Sequence, residues 1–318
     1  MAQSAIVRWS NPKVILVATN LLDGPRLILH AINHARLSRA NVLLVHAVPP
    51  LHSRTEPHSR LPTLVPRHLA PDVTNKLGKM AEEFHREGIE CEPVVLRGVP
   101  GQQIPLLVKS RSVDRVIVAN SNMSGVSRLL EGSVAEELVA CLEVPVCIIG
   151  RRAHPGGARG TPLGRILFAT SFDPNSALLA AFASTLAELN DAQLTLLHVL
   201  HTTSMCEQQK ELVRFAARKR LFGFVPEGAA HRRQPVCTVR EGDPAAIIVA
   251  ESGVMSQDLL ILGSPYPSML SWLLGTSVVH RVITEAQCPV LTIRPRGPTD
   301  DSFDTATAEV PLDQHEYA

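Results

Sequence analysis

The chain has 318 residues and six cysteines, but no CxxC pair. Cys91, Cys141, Cys147, Cys206, Cys237 and Cys288 are scattered, mostly in apolar stretches, and Cys141 and Cys147 stand too far apart for a zinc knuckle. Free, mostly buried thiols in a reducing compartment are therefore expected. No run approaches 18 apolar residues, so no membrane-spanning helix is expected. The opening MAQSAIVRWSNPKV lacks an apolar core followed by a small-residue cleavage site, so no leader is expected and the cytoplasm is the expected location. A dominant charge is also missing. The formal balance is +1, which argues against nucleic acid or an anionic membrane as partner.

Catalytic signatures are missing too. There is no GxSxG nucleophile elbow and no GxxxxGK loop ending in Ser or Thr. No acid pair or metal cluster recurs along the chain, so catalysis has no evident attacking group. His30 and His34 lie four apart on one predicted helix, and without a third ligand at motif spacing two packed or solvated histidines are expected rather than zinc.

What the sequence does contain is a repeat. SRLLEGS (127–133) returns as SWLLGTS (271–277), 144 positions later. At the same offset Asp114 before VIVA matches Asp258 before LILG, and Gly98 and Pro100 match Gly242 and Pro244. Pro145 of VPVCII matches Pro289 of CPVLTI. Upstream the offset widens: ILVATN (15–20) and ILFATS (166–171) differ by 151, and His46 and His198 by 152. The first copy is therefore longer between its second and third strands, where His52, His58 and His68 lie beside Arg54, Arg60 and Arg67. A solvated variable loop over about 51–71 is expected there, with contact to an anion or partner as the alternative.

Each copy alternates short apolar runs with helical patterns. Strands are predicted near 13–19, 41–48, 90–97, 114–119 and 145–149, then near 165–170, 193–199, 235–240, 258–263 and 289–293. Continuous apolar runs suit a parallel sheet covered on both faces. The fold class is α/β: two tandem, doubly wound, five-stranded parallel-sheet domains of Rossmann-like type. The expected organisation is an N-terminal extension (1–12), a first domain (13–150), a Gly/Pro/Arg-rich linker (151–162), a second domain (163–296) and an acidic tail (297–318). The tail holds six acidic residues and no Lys or Arg and is expected to be disordered. The rest of the chain sets 31 basic residues against 24 acidic ones, a balance of +7.

Ligands of open α/β sheets bind outside the carboxyl ends of strands, near the point where strand order reverses. Three segments per copy reach that edge: the ends of strands one and two, and the loop from strand four into the last helix. Ser133 and Ser277 begin the last helices. Such a serine can cap free N–H groups, and the same N–H groups can hold a phosphate; both readings stay open.

Both halves resemble the universal stress protein family, in tandem. Its nucleotide-binding members carry Gly, two residues, Gly, nine residues, then Gly followed by Ser or Thr. In the first half these positions are Ala119, Asn122, Gly132 and Ser133, and in the second Gly263, Tyr266, Thr276 and Ser277. The CPV strand and ATSFDPNS resemble the family as well. The resemblance implies the adenine nucleotide alpha hydrolase-like fold and a site for ATP or another adenine nucleotide, accompanied by Mg. An acidic residue common in ATP-binding members at the end of strand one is Asn20 here, and Ser171 in the second copy. Ser124 and Gly125 add small groups to the first loop, whereas Pro265 and Pro267 flank Tyr266, and Pro267 offers a phosphate no N–H. The first half is thus expected to be the better nucleotide site and the second a degenerate one. The resemblance further implies an internal pseudo-dimer in which VPVCII meets CPVLTI, compatible with a homodimer, and a nucleotide-responsive regulatory role towards a protein partner. The alternatives are a scaffold of the same fold without nucleotide, and a slow ATP hydrolase.

Overall fold

The structure, a computed structural model, describes residues 2–48, 64–65, 70–120, 134–154, 163–201, 206–225, 232–253, 256–263 and 277–294. After a first helix, α1 (Ala2–Ser10), the first half runs β1 (Val14–Ala18), α2 (Gly24–Ser38), β2 (Asn41–Val48), α3 (Pro71–Arg86), β3 (Cys91–Arg97), α4 (Pro100–Ser110), β4 (Arg115–Ala119), α5 (Val134–Cys141) and β5 (Val146–Ile149). The second half repeats it as β6 (Arg165–Ala169), α6 (Ser176–Asn190), β7 (Gln193–Leu200), α7 (Glu207–Phe222), β8 (Val236–Glu241), α8 (Pro244–Gly253), β9 (Leu259–Gly263), α9 (Val278–Glu285) and β10 (Val290–Ile293). Every predicted strand is present, with ends within two residues.

Within each half the pairing is parallel, and the ten strands form one sheet in the order β3-β2-β1-β4-β5-β10-β9-β6-β7-β8. The halves join where β5 and β10 pair antiparallel, with Leu291 opposite Cys147 and Val290 opposite Ile148. All four residues of each strand are buried, so neither apolar run is left as an open edge. Two cores result, one on each face of the sheet, and each runs unbroken through both halves. One contains Leu27, Phe84, Trp9 and Phe182. The other contains Leu107, Leu138, Ile248 and Val282.

The matched positions of the repeat do matched work. Asp114 Oδ2 accepts the backbone N–H groups of Lys13 at 2.7 Å and Val14 at 3.0 Å. Asp258 Oδ2 accepts those of Gly164 at 2.8 Å and Arg165 at 3.0 Å. In each half an aspartate before the fourth strand thus anchors the start of the first. Gly98 and Gly242 sit at φ of +120° and +137°, where a side chain would be strained, so both copies need glycine at the exit of their third strand.

The N-terminal helix belongs to neither repeat. Its Trp9 ring meets Phe182 of α6 edge-on, with centroids 6.2 Å apart, so a helix preceding the first half packs on the second. Of residues 51–69, which hold the His/Arg-rich loop, only Leu64 and Val65 are described. Leu64 bridges antiparallel to Leu96, and Val65 N–H donates to Val95 O at 2.9 Å, so the loop touches the open side of edge strand β3.

Candidate functional site

Strand β1 lies between β2 and β4, with Ala18 opposite Val45 on one side and Val118 on the other. The chain winds one way from β1 and the other way from β4. The carboxyl ends of these strands therefore form the crevice of the switch point. Asn20 follows β1 and is exposed, Ala119 ends β4, and His46 stands near the end of β2. The structure brings Asn20 and Ala119 to one edge, as the sequence suggests. Asn122, Ser124, Gly125, Gly132 and Ser133 lie outside the described residues, as do Tyr266 and Thr276.

The turn after β1 is held by a carboxylate that the motif alignment does not mark. Asp23 Oδ2 accepts from the Asn20 N–H at 2.9 Å and the Thr19 hydroxyl at 3.0 Å. Leu21 takes a positive φ of 66°, an uncommon angle for a bulky residue, and its N–H donates to Thr19 Oγ1 at 3.0 Å. Burial pushes the Asp23 carboxyl above its ordinary value, against the lowering effects of the Asn20 N–H, the Thr19 hydroxyl and His46. Its second oxygen, Oδ1, is buried and has no partner among the described residues. An acceptor of this kind calls for a donor. The His46 ring reaches the Thr19 carbonyl through Nδ1 at 2.8 Å. Beside Ala119, buried Asn120 donates through Nδ2 to Ile283 O of the second half at 3.4 Å, and its Oδ1 is also unpartnered among the described residues.

The equivalent edge of the second half starts alike and finishes differently. His198 Nδ1 meets the Thr170 carbonyl at 2.8 Å, and Phe172 takes φ of 63°. Here, however, the Phe172 ring lies 4.1 Å from the His198 ring, and the Arg220 guanidinium sits 4.5 Å above it. A cation, a phenyl ring and an imidazole thus stack across the end of β6, whereas in the first half Leu21 takes the position of Phe172. Ser171 Oγ turns to Asp173 Oδ2 at 3.2 Å. Asp173 is fully engaged, since its Oδ1 accepts the Asn175 N–H at 2.9 Å. Gly263 is held small by packing, because a Cβ there would come within 2.9 Å of Leu179 Cδ1. Ser277 is an N-cap: its hydroxyl accepts the His280 N–H at 3.0 Å.

Two clefts, of about 550 and 570 Å³, open at the opposite, amino-terminal edge of the sheet. The first is lined by His34 and Arg115, which hydrogen-bond to each other. The Arg115 guanidinium donates to His34 Nδ1 at 3.1 Å, and His30 Nε2 meets His154 O at 2.9 Å. Among the described residues no three His, Cys, Asp or Glu side chains gather as a metal site, and no helix is long and apolar enough to cross a membrane.

The profile of the universal stress protein family matches residues 12–150 and again 162–294. A universal stress protein of Methanocaldococcus jannaschii, MJ0531, is 28% identical over 123 residues, 38% of this chain and 71% of that protein. One from Mycolicibacterium smegmatis is 26% identical over 210 residues, 60% of this chain and 65% of that protein. Among solved structures, a universal stress protein of Archaeoglobus fulgidus superposes with a TM-score of 0.67 over 92% of this chain and 99% of its own, at 17% identity, a likeness of fold. Two tandem matches that leave only the ends and the linker uncovered settle the kinship: the chain belongs to the universal stress protein family.

Proposed function

We propose that the first half binds an adenine nucleotide, ATP with Mg foremost, at the carboxyl edge of β1 and β4, and that the protein is a nucleotide-responsive regulator rather than an enzyme. The observation that carries this reading is the difference between two equivalent edges. In the second half Phe172, His198 and Arg220 occupy one another, Asp173 is satisfied, and the Ser277 hydroxyl is committed as a cap. In the first half the Asp23 Oδ1 acceptor is buried and has no partner among the described residues, beside an exposed Asn20. A ribose hydroxyl is a donor of the right kind. The spacing of Ala119, Asn122, Gly132 and Ser133 supplies the phosphate end, where small residues let a backbone approach.

The test is melting with and without Mg-ATP. A ligand at a hundredfold excess over its Kd adds about 2.7 kcal/mol of stability. The Asp23→Ala variant is expected to lose most of that shift, with Phe172→Ala keeping it. No shift at millimolar ATP in the parent protein would favour a scaffold without nucleotide. Phosphate release abolished by a Ser133 substitution would favour a slow hydrolase.

A further inference from the structure

The cleft of about 550 Å³ at the amino-terminal edge lies in the seam between the halves, with Arg115 and Ser10 of the first half and Leu186 and Asp191 of the second among its walls. Its floor holds a cation that no carboxylate answers. Arg115 is 2% exposed, and burial lowers its pKa only to about 10, so it is charged at neutral pH. Its hydrogen bonds go to neutral acceptors, His34 Nδ1 at 3.1 Å and Trp9 O at 2.6 Å. Arg115 Nε has no partner among the described residues, and neither has the buried hydroxyl of Ser10, next along the chain from Trp9. Asp114 is already taken by Arg8 and by the N–H groups of Lys13 and Val14. A buried charge left without a partner is costly.

The fold itself does not require this charge. Ile15 of β1 stands opposite Arg115, and its counterpart Ile166 of β6 stands opposite Leu259. His34 precedes the left-handed Arg39 at the end of α2 by the same count as Leu186 precedes the left-handed Asp191 at the end of α6. The first half thus sets an arginine and a histidine where the second buries two leucines. Among the described residues the cleft carries Arg115, Arg232 and Arg233 against Glu188 and Asp191, a balance of +1. Helices α1, α2 and α6 end there, and the carbonyl ends of their last turns oppose a second negative charge. Leu37, Leu163 and Leu186 add apolar surface. We infer that this cleft binds a small organic monocarboxylate, whose carboxylate accepts from Arg115 Nε and the Ser10 hydroxyl and whose apolar body lies along the leucines. The site is separate from the nucleotide edge, which lies at the other end of the strands.

Hexanoate is the probe, with chloride at equal ionic strength, hexanamide and inorganic phosphate as comparisons. In the isotope-labelled full chain the Arg115 Nε–H resonance should move on adding hexanoate and stay still with hexanamide. The melting temperature should rise with hexanoate and saturate, with a Kd of about 1 mM for a ligand of so few atoms. The paired change Arg115→Leu with His34→Leu writes the second half's leucines into the first. It should fold, and it should weaken hexanoate binding by roughly thirtyfold. Leu37→Glu, at the exposed rim, leaves both polar groups in place and should weaken binding by roughly tenfold, because it sets a second carboxylate in the cleft. An Arg115 Nε–H resonance indifferent to hexanoate at about 50 mM overturns the inference. So does an equal response to chloride or hexanamide, tighter binding of phosphate than of hexanoate, or hexanoate binding undiminished by the leucine pair or by Leu37→Glu.

Discussion

Arg115 donates to the carbonyl oxygen of Trp9 at 2.6 Å, from the first residue of β4 to the last turn of α1. The guanidinium is buried, and its other hydrogen bond goes to His34 Nδ1. Arginine cannot accept, so His34 Nδ1 must be the lone-pair nitrogen, and the proton sits on Nε2, 3.7 Å from Cys147 Sγ. One cation therefore holds the N-terminal helix and fixes an imidazole tautomer. Arg115→Met should cost about 3 kcal/mol, because both acceptors lose a charged donor inside the protein. Urea unfolding measures it, and earlier proteolysis near residues 1–10 should accompany the loss.

Trp9 and Phe182 tie that helix to the second half. Phe182→Ala should destabilise by about 3–5 kcal/mol through the cavity it leaves. A double-mutant cycle with Trp9→Leu should return a coupling of about 0.5–1.5 kcal/mol for the edge-on pair. Coupling near zero would mean the two rings do not meet in solution.

Acid should weaken the fold early. Burial lowers the pKa of His34 well below 6.5, and those of His30 and His198 in the same direction. A histidine with a depressed folded pKa stays neutral while its unfolded counterpart takes up a proton. Stability is therefore complete above about pH 6.5 and falls as the pH drops below it. Melting temperatures between pH 8 and 5 should show this. His34→Gln, which can still accept from Arg115, should remove up to one proton from the uptake on unfolding.

The thiols should separate cleanly. Cys141 and Cys206 are exposed, while Cys91, Cys147 and Cys288 are buried, with thiols pushed up to about 12. An aromatic disulfide reagent at pH 8 should label Cys206 first and Cys141 more slowly, since burial raises the Cys141 thiol too. All six should react in denaturant. Prompt labelling of Cys147 would mean that the seam between the halves opens.

The two last helices should answer differently to mutation. Ser277→Ala is expected to cost about 1 kcal/mol, the value of a cap, and to leave nucleotide affinity unchanged. Gly132→Val should abolish that affinity by crowding the approach to the helix start. Calorimetry on both variants decides, and the reverse pattern would move the site to the second half.

The strands were readable because a buried parallel strand is written as a continuous apolar run, and ten of these stood between helical patterns in a repeated order. Asp114 with Asp258 and Gly98 with Gly242 were visible as matched letters, and the structure supplies their tasks. The docking of α1 was not readable. Its nine residues hold only Ile6 and Trp9 as buried large apolar groups, and the partner, Phe182, lies far along the chain. Asp23 escaped for a related reason. The alignment looks for an acid at Asn20, and the turn at Leu21 carries a carboxylate back from three residues on. Gly263 was legible as a motif glycine, whereas its close contact with Leu179 was not, because Leu179 lies 84 positions earlier in the chain.

The β5–β10 pairing has a consequence for how such a chain can change. In an assembly of two separate identical subunits, any substitution strikes both at once, and the union survives only above a certain concentration. Here the strands that meet belong to one polypeptide, so dilution does not part them, and each side of the seam can be altered alone. The second half can fill its own crevice with Phe172 and Arg220 and still serve as the permanent mate of the first.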